Sequence, residues 1–187
     1  DDSEWLIGVV ENLLSITRLN DGRLKFKFSD QLLDEVIAES LRHISRKHDD
    51  YKIVSDCEEL VLARMDVRLI IQVLVNLIDN AIKYTPPGSV ICIQGTKTDG
   101  KAQISVKDNG PGIPEETLLK ITESLTREET QDALTSSIGL INVHRRLRLH
   151  FGASSGLHIV SGAEGTTITL TIPQNISREE GIICTEH

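Results

Sequence analysis

The sequence predicts an α/β two-layer sandwich, in which a mixed, mostly antiparallel sheet carries three helices on one face and a further helix lies at the N-terminus. Apolar residues recur at helical spacing through residues 66–84, whereas apolar and polar residues alternate through residues 101–107, as in a strand with one buried face. The turn sequence Thr-Asp-Gly at residues 98–100 joins two alternating runs and indicates an antiparallel hairpin. A chain of 187 residues is long enough for one domain with a substantial core.

The chain opens with an amphipathic helical pattern over residues 4–19. Its apolar stripe is formed by Trp5, Val9, Leu13 and Ile16. The run Asn-Asp-Gly at residues 20–22 is a helix stop signal. On its own this pattern fits an ordinary amphipathic helix that packs on its own domain.

A strand and a second helix follow. Residues 24–28 alternate as a strand, and Ser29 or Asp30 is positioned to cap a helix whose apolar residues continue to Ile44. We therefore expect this helix to begin immediately after Ser29 or Asp30.

The longest predicted helix covers residues 66–84. Asp66 is its expected N-terminal cap, and the prolines at positions 86 and 87 end it because proline cannot continue the helical hydrogen-bond ladder. Shorter helices are predicted near residues 115–122 and 139–150, and strands near 52–54, 60–63, 90–95, 101–107, 157–161 and 166–172. We expect the strands to share one sheet, with three helices on one face.

Composition excludes several classes of function. A formal net charge of −8 argues against a DNA- or RNA-binding surface, which concentrates lysine and arginine. Aromatic residues make up 3% of the chain, so a bound adenine would have to lie between aliphatic side chains. Three cysteines without metal-binding spacing indicate neither a disulfide framework nor a zinc site and fit a reducing cytosol. We expect no membrane segment, because no apolar run approaches the roughly 18–20 residues of a membrane span.

A polar stripe distinguishes one side of the 66–84 helix. Asn76, Asn80 and Lys83 are four and then three residues apart, so they project from one side of the helix while its apolar residues face the other. Two carboxamides beside an ammonium group suit a divalent cation together with the phosphate oxygens that it bridges. An exposed helix lysine is also the ordinary case on any surface. Tyr84 fits either a binding role or a core aromatic with its hydroxyl at the rim.

A second polar motif, DNGPGIP, occupies residues 108–114 directly after a predicted strand. An ionised Asp108 only accepts hydrogen bonds and therefore suits the exocyclic amine of a purine. Gly110 and Gly112 permit close backbone approach. In isolation this motif more often marks a simple strand-ending turn, but its place after the asparagine stripe strengthens the binding interpretation.

Together the two motifs resemble the N box and first glycine box of the GHKL superfamily, and sensor histidine kinases are the branch that they resemble best. The resemblance implies an ATP-binding domain. Asn80 would ligate Mg²⁺, Asn76 and Lys83 would act near the phosphates as catalytic groups, and Asp108 would recognise adenine. The resemblance also places Tyr84, Gly110, Gly112 and Ile113 among the nucleotide-binding residues.

The expected reaction type depends on whether the polar stripe carries a general base. ATP hydrolases and serine kinases of the superfamily usually carry a glutamate four residues before the metal-binding asparagine, where this chain has Asn76. Asp79 points roughly 60–100° away from Asn76 and Asn80 at helical pitch. The resemblance therefore implies transfer to an already nucleophilic imidazole and disfavours an ATPase.

The resemblance extends through the second half of the chain. Residues 136–147 are similar to the second glycine box and its helix, and residues 164–173 to the last box and closing strand, which adds Ser137, Gly139, Leu140 and Thr166 to the expected nucleotide contacts. Thr166 would support Asp108 through its hydroxyl or a water.

The second glycine box departs from the family pattern. Thr135 and Ser137 stand where two glycines are common. This departure keeps open an alternative function, a pseudokinase-like nucleotide sensor with little transfer activity.

Resemblance also sets the expected organisation. The first half is similar to potassium-responsive sensor kinases and the second to a short-lid branch. Residues 1–22 would then be the end of the second helix of a dimerisation and phosphoacceptor hairpin, residues 23–173 the catalytic domain and residues 174–187 a polar tail.

The expected partners follow from the same resemblance. None of the six histidines has the neighbours of a phosphoacceptor, so that histidine would lie in a hairpin of the same receptor outside this sequence. A response regulator and a homodimeric receptor are expected, although this chain alone could be monomeric. The domain would be cytoplasmic, in a receptor held in the inner or plasma membrane.

Overall fold

The structure is a computed structural model that describes residues 27–44, 50–126 and 138–174. The predicted helix at residues 4–19, Ser137 and the tail beyond residue 174 lie outside the described residues, as does most of the strand predicted at residues 24–28. Within the described ranges the chain forms β1 (Ser29–Leu32), α1 (Leu33–His43), β2 (Lys52–Cys57), β3 (Leu62–Met65), α2 (Val67–Tyr84), β4 (Val90–Thr98), β5 (Lys101–Asp108), α3 (Glu115–Thr126), α4 (Ile138–Phe151), β6 (Gly156–Gly162) and β7 (Gly165–Pro173).

Five strands form the main sheet in the order β2-β4-β5-β7-β6. Strand β2 runs parallel to β4, and the other neighbours are antiparallel, which confirms the predicted mixed, mostly antiparallel sheet. The expectation of a single sheet is wrong for β1 and β3, which pair only with each other in a separate antiparallel ribbon. Each of these strands has four residues, and alternation within so short a run does not specify its partner.

The start of α1 differs from the prediction. Ser29 and Asp30 do not cap this helix, because they pair with Met65 and Arg64 in the ribbon. The helix begins at Leu33, whose backbone N–H donates instead to the Val61 carbonyl at 3.0 Å. A backbone partner thus replaces the expected side-chain cap.

Helix α2 begins as predicted. Asp66 Oδ1 accepts hydrogen bonds from the backbone N–H groups of Arg68 at 3.1 Å and Leu69 at 3.3 Å, so two of the free donors at the helix start are satisfied. The helix ends at Tyr84, immediately before Thr85 and the two prolines. Its buried side is formed by Leu69, Ile70, Val73, Leu74, Leu77, Ile78, Ala81 and Ile82.

The main core lies between one face of the sheet and helices α1, α2 and α4. Alternate residues of β4, β5 and β7 are buried in register, as in the row formed by Ile93, Val106 and Ile168. Helix α3 instead packs on α4 and β6, where Ile121 and Leu125 form a small second cluster with Ile141. The three helices on the sheet confirm the predicted architecture.

Candidate functional site

A cavity of about 380 Å³ lies beside the end of β5, between α2 and α3. Its walls are formed by Leu77, Asn80, Ala81, Tyr84, Thr85, Val106, Asp108, Pro111, Gly112, Ile113, Pro114, Thr117, Ile121, Leu140, Thr166 and Ile168. The cavity therefore collects residues from both polar motifs and from the second half of the chain.

Most of the predicted site residues meet at this cavity. The lining includes seven of them, namely Asn80, Tyr84, Asp108, Gly112, Ile113, Leu140 and Thr166. Asn76, Lys83 and Gly110 are not part of the lining. Gly139 lies in the first turn of α4, and Ser137 is outside the described residues.

Asp108 is the last residue of β5 and is buried, with 9% of its surface exposed. Its Oδ1 accepts hydrogen bonds from the backbone N–H groups of Gly110 at 2.9 Å and Thr166 at 3.2 Å. Within the described ranges no hydrogen bond reaches Oδ2. The carboxylate is thus fixed through one oxygen and offers the other to a ligand amine.

Thr166 contacts Asp108 through its backbone. Its backbone N–H makes the contact, whereas its hydroxyl lies 2.8 Å from Ser161 Oγ on the neighbouring strand. Support of Asp108 through the threonine hydroxyl or a water stays a prediction.

The glycines after Asp108 are required by packing. A Cβ atom on Gly110 would lie 2.5 Å from Thr85 Cγ2. Gly112 has φ +77°, and a Cβ there would lie 2.0 Å from the Gly162 carbonyl oxygen. The loop can approach both the end of α2 and the β6–β7 turn only because these side chains are absent.

The two asparagines of α2 are half-buried, and their carboxamides form no hydrogen bonds among the described residues. Their oxygens are therefore available as ligands. Asp79, between them in sequence, is exposed and belongs to a different side of the helix.

Lys83 and Tyr84 lie at the exposed end of α2. Lys83 Nζ lies 5.3 Å from the centre of the Tyr84 ring, within the range of a cation–π interaction. Tyr84 is 59% exposed, so its interpretation as a core aromatic is wrong. The ring instead borders the cavity beside the Lys83 ammonium group.

Aliphatic side chains cover much of the cavity wall, as the low aromatic content predicted. Sequence reasoning did not name Leu77, Ala81, Val106, Ile121 and Ile168 as site residues. A signal for two of them was present, since Val106 precedes Asp108 by two residues and Ile168 follows Thr166 by two, which places each on the same strand face as its polar partner.

The histidines that the structure describes have the structural or surface roles expected of them. His144 on α4 is buried, and its Nδ1 accepts a hydrogen bond from the Leu157 N–H at 3.0 Å. Burial lowers the pKa of the His144 imidazole, and the positive charge of Arg148 lowers it further. The imidazole is therefore a neutral hydrogen-bond acceptor that joins α4 to β6.

Comparison with known proteins assigns the family. Residues 65–176 match the family described as histidine kinase-, DNA gyrase B- and HSP90-like ATPases. The chain belongs to this family, as the two motifs predicted. Its sequence and fold are those of the catalytic domain of sensor histidine kinases.

Curated relatives agree with this assignment. The chain is 39% identical over 122 residues to the sensor protein KdpD of Clostridium acetobutylicum, covering 65% of this chain and 14% of that protein. It is 31% identical over 173 residues to the adaptive-response sensory kinase SasA of Synechococcus elongatus, covering 88% of this chain and 43% of that protein. The chain thus spans less than half the length of either relative.

Solved structures show the same fold. The nucleotide-free catalytic domain of histidine kinase ThkA superimposes with a TM-score of 0.69 at 24% identity, covering 81% of this chain and 100% of that domain. ThkA in complex with the response regulator TrrA gives a TM-score of 0.73 at 22% identity, covering 95% of this chain and 50% of the matched chain.

Among the helices in the described ranges, none has the length and apolar character needed to span a membrane.

Proposed function

We propose that this chain binds Mg-ATP and transfers its γ-phosphoryl group to a histidine on another segment, as the catalytic domain of a two-component sensor histidine kinase. The observation that carries the proposal is the shared cavity of Asn80 and Asp108, which lie on separate elements and suit opposite ends of the nucleotide. Family membership independently implies ATP as the substrate.

Asp108 acts at the adenine end. Its Oδ2 accepts a hydrogen bond from the exocyclic amine, while Oδ1 remains held by Gly110 and Thr166. The aliphatic walls exclude water from the faces of the base and so strengthen this hydrogen bond. Gly112 and Ile113 form the part of the loop that lies against the base.

The asparagine stripe acts at the phosphate end. Neutral carboxamide oxygens fit a magnesium ion that arrives with the phosphates, and their lack of hydrogen-bond partners among the described residues supports this role. Asn80 would hold the ion, which supplies charge neutralisation at the β- and γ-phosphates when bound. Asn76 and Lys83 position the phosphate oxygens.

The start of α4 contributes a second phosphate contact. Gly139 lies in the first turn of this helix, where the first backbone N–H groups and the helix dipole favour an anion. Ser137, two residues earlier in the sequence, is the second proposed contact. Leu140, one position further along, lines the cavity and would pack against the nucleotide.

The acceptor is an imidazole, because the α2 stripe carries no carboxylate that could deprotonate water or a hydroxyl group. A neutral imidazole nitrogen attacks the γ-phosphorus, a P–N bond forms, and the P–O bond to ADP breaks. The protein contributes positioning and charge stabilisation to this step.

The partners follow from this reaction. The acceptor histidine lies on a dimerisation hairpin of the same receptor, whose second helix ends within residues 1–22, and residues 23–173 form the catalytic domain. A response regulator then takes the phosphoryl group, as the complex of ThkA with TrrA suggests. The domain works in the cytoplasm as part of a homodimeric membrane receptor.

Phosphoryl transfer from radiolabelled Mg-ATP to a separately produced histidine-bearing hairpin of a sensor kinase relative tests the proposal. We expect acid-labile, base-stable label on the hairpin and none after the acceptor histidine is replaced by alanine. Tight ATP binding without transfer, even to the hairpin of its own receptor, would favour the nucleotide-sensor alternative. Absence of ATP binding would contradict both.

A further inference from the structure

Ser161 on β6 lies opposite Thr166 on β7 as a direct cross-strand pair. Its Oγ accepts a hydrogen bond from the Ile113 N–H at 2.8 Å and lies 2.8 Å from Thr166 Oγ1. Ser161 is not part of the cavity lining, whereas Ile113 and Thr166 both are. One hydroxyl behind the wall therefore joins two residues that face the cavity.

The 2.8 Å distance between Ser161 Oγ and Thr166 Oγ1 allows either hydroxyl to be the donor, so the other available partners decide between the two arrangements. A serine hydroxyl has one proton, and Ser161 can donate it to Thr166 Oγ1 at 2.8 Å or to the Gly165 carbonyl at 3.4 Å. Hydroxyl hydrogen bonds are normally about 2.5–3.0 Å long, so Thr166 is the favoured acceptor. When a ligand acceptor occupies the cavity, donation from Ser161 to Thr166 leaves the Thr166 proton for that acceptor, whereas the reverse arrangement relies on the longer contact to Gly165.

We propose that Ser161 is a positioning residue that makes the Thr166 hydroxyl a hydrogen-bond donor to the bound base and so contributes to purine selectivity. Adenine presents an acceptor at N1 beside its exocyclic amine, whereas guanine presents an N–H donor at N1. A Thr166 donor beside the Asp108 acceptor matches adenine at both positions and guanine at neither. This inference rests on the proposed nucleotide-binding function.

Ser161 also holds the glycine loop in place. The Ile113 N–H has Ser161 Oγ as its acceptor, and Ile113 follows Gly112, the residue packed against the β6–β7 turn. Loss of the serine hydroxyl would leave this donor unpaired beside the cavity, which carries a free-energy penalty. The same residue thus sets both the position of the loop and the direction of the threonine proton.

The test compares the dissociation constants of ATP and N1-deaza-ATP, an analogue that has carbon in place of N1. For the unmodified chain we expect the analogue to bind about threefold to tenfold more weakly, the value of one neutral hydrogen bond. In Ser161→Ala the ratio of the two dissociation constants, analogue over ATP, should fall to below about twofold. Ser161→Thr, which keeps the hydroxyl, should show the same ratio as the unmodified chain.

Four further variants make the test specific. Thr167→Ala removes a neighbouring hydroxyl on the opposite face of β7 and should leave the ratio unchanged. Thr166→Val should make the two dissociation constants equal. Adding Ser161→Ala to this variant should cause no further change in their ratio. Ser161→Cys, with a weakly hydrogen-bonding thiol of similar size, provides the same comparison if the alanine variant does not fold.

The outcomes separate this inference from the function on which it rests. An unchanged ratio in Ser161→Ala or Ser161→Cys, or equal binding of the two nucleotides by the unmodified chain, would overturn the role of Ser161 while leaving ATP binding intact. Failure of the unmodified chain to bind ATP would overturn both.

Discussion

The backbone N–H of Thr166 donates a hydrogen bond to Asp108 Oδ1 at 3.2 Å across 58 residues of sequence. The adjoining Gly165 lies so close that a Cβ atom there would be 2.0 Å from the Asp108 carbonyl oxygen. The β6–β7 turn therefore fixes the end of β5 and, with it, one oxygen of the proposed adenine-binding carboxylate.

Asp108→Asn should remove base recognition without unfolding the chain. The asparagine oxygen can still accept the two backbone hydrogen bonds, but its amide nitrogen replaces the oxygen that would face the adenine amine. We expect ATP affinity to fall roughly 10- to 100-fold, because a charge-assisted hydrogen bond is replaced by two opposed donors. Isothermal titration calorimetry measures the affinity.

The matched control is Asp99→Asn in the β4–β5 turn. Asp99 has φ +50°, a conformation that asparagine also tolerates, and it is remote from the cavity lining. ATP affinity should be unchanged in this variant. An unchanged affinity in Asp108→Asn as well would show that the base binds elsewhere.

Gly112→Ala should destabilise the chain far more than an equivalent change at another glycine with positive φ. Its Cβ would meet the Gly162 carbonyl oxygen at 2.0 Å, in addition to the strain of φ +77°. We expect the free energy of unfolding in urea to fall by about 3 kcal/mol or more.

Gly100→Ala isolates the strain, because Gly100 has φ +72° but no atom within 4 Å of its Cβ position. That variant should lose only about 1–2 kcal/mol. Equal losses in the two variants would mean that the loop yields to the methyl group and does not need a close approach to the β6–β7 turn.

Stability should decrease as the pH falls below the unfolded histidine pKa. Burial and Arg148 lower the pKa of folded His144, so below about pH 6.5 the unfolded state binds more protons than the folded state. The free energy of unfolding should therefore fall from about pH 6.5 down to the folded pKa. Urea unfolding across this range measures the slope.

His144→Asn keeps an acceptor for the Leu157 N–H but cannot titrate, so the slope should become shallower. A residual slope should remain, because burial also lowers the pKa of His150. His158→Asn changes an exposed histidine on β6 and should leave the slope as it is. A slope that His144→Asn does not alter would assign the acid sensitivity to other groups.

Much of the fold could be predicted because local signals agreed with the tertiary structure. Asp66 caps α2, and the alternating apolar residues of β5 face the core, as the sequence indicated. The pairing of β1 with β3 was not predictable, since two four-residue strands carry too little pattern to define a partner. Ser29 and Asp30 look like cap residues until that pairing engages them.

The candidate site was predictable where polar residues stand at a recognisable spacing in the sequence. Asn80 and Asp108 meet at one cavity as the motifs indicated. Ser161 gave no such signal, because its importance comes from a cross-strand register that brings it against Thr166 and Ile113. Contacts that depend on strand register cannot be predicted from a single sequence until the order of the strands in the sheet is known.

Lys83 should contribute to binding of the triphosphate and not to binding of the base. Its ammonium group is held 5.3 Å from the Tyr84 ring centre, at the exposed end of α2 and outside the cavity lining. Because Lys83 is not part of the cavity lining, we expect its ammonium group to meet phosphates that extend from the cavity, and not a base between the aliphatic walls. Adenosine and ATP therefore separate its role from that of Asp108.

Lys83→Gln should weaken ATP binding about fivefold to twentyfold through loss of a charged contact, whereas adenosine affinity should change by less than about twofold. Fluorescence competition with both ligands measures the two effects.

Tyr84→Leu, which removes the ring beside the ammonium group, should weaken ATP binding about twofold to fivefold, and Tyr84→Phe should not. Lys97→Gln, an exposed lysine on β4, is the charge-matched control. Equal weakening of adenosine and ATP in Lys83→Gln would contradict a phosphate role, because it would place the lysine at the base.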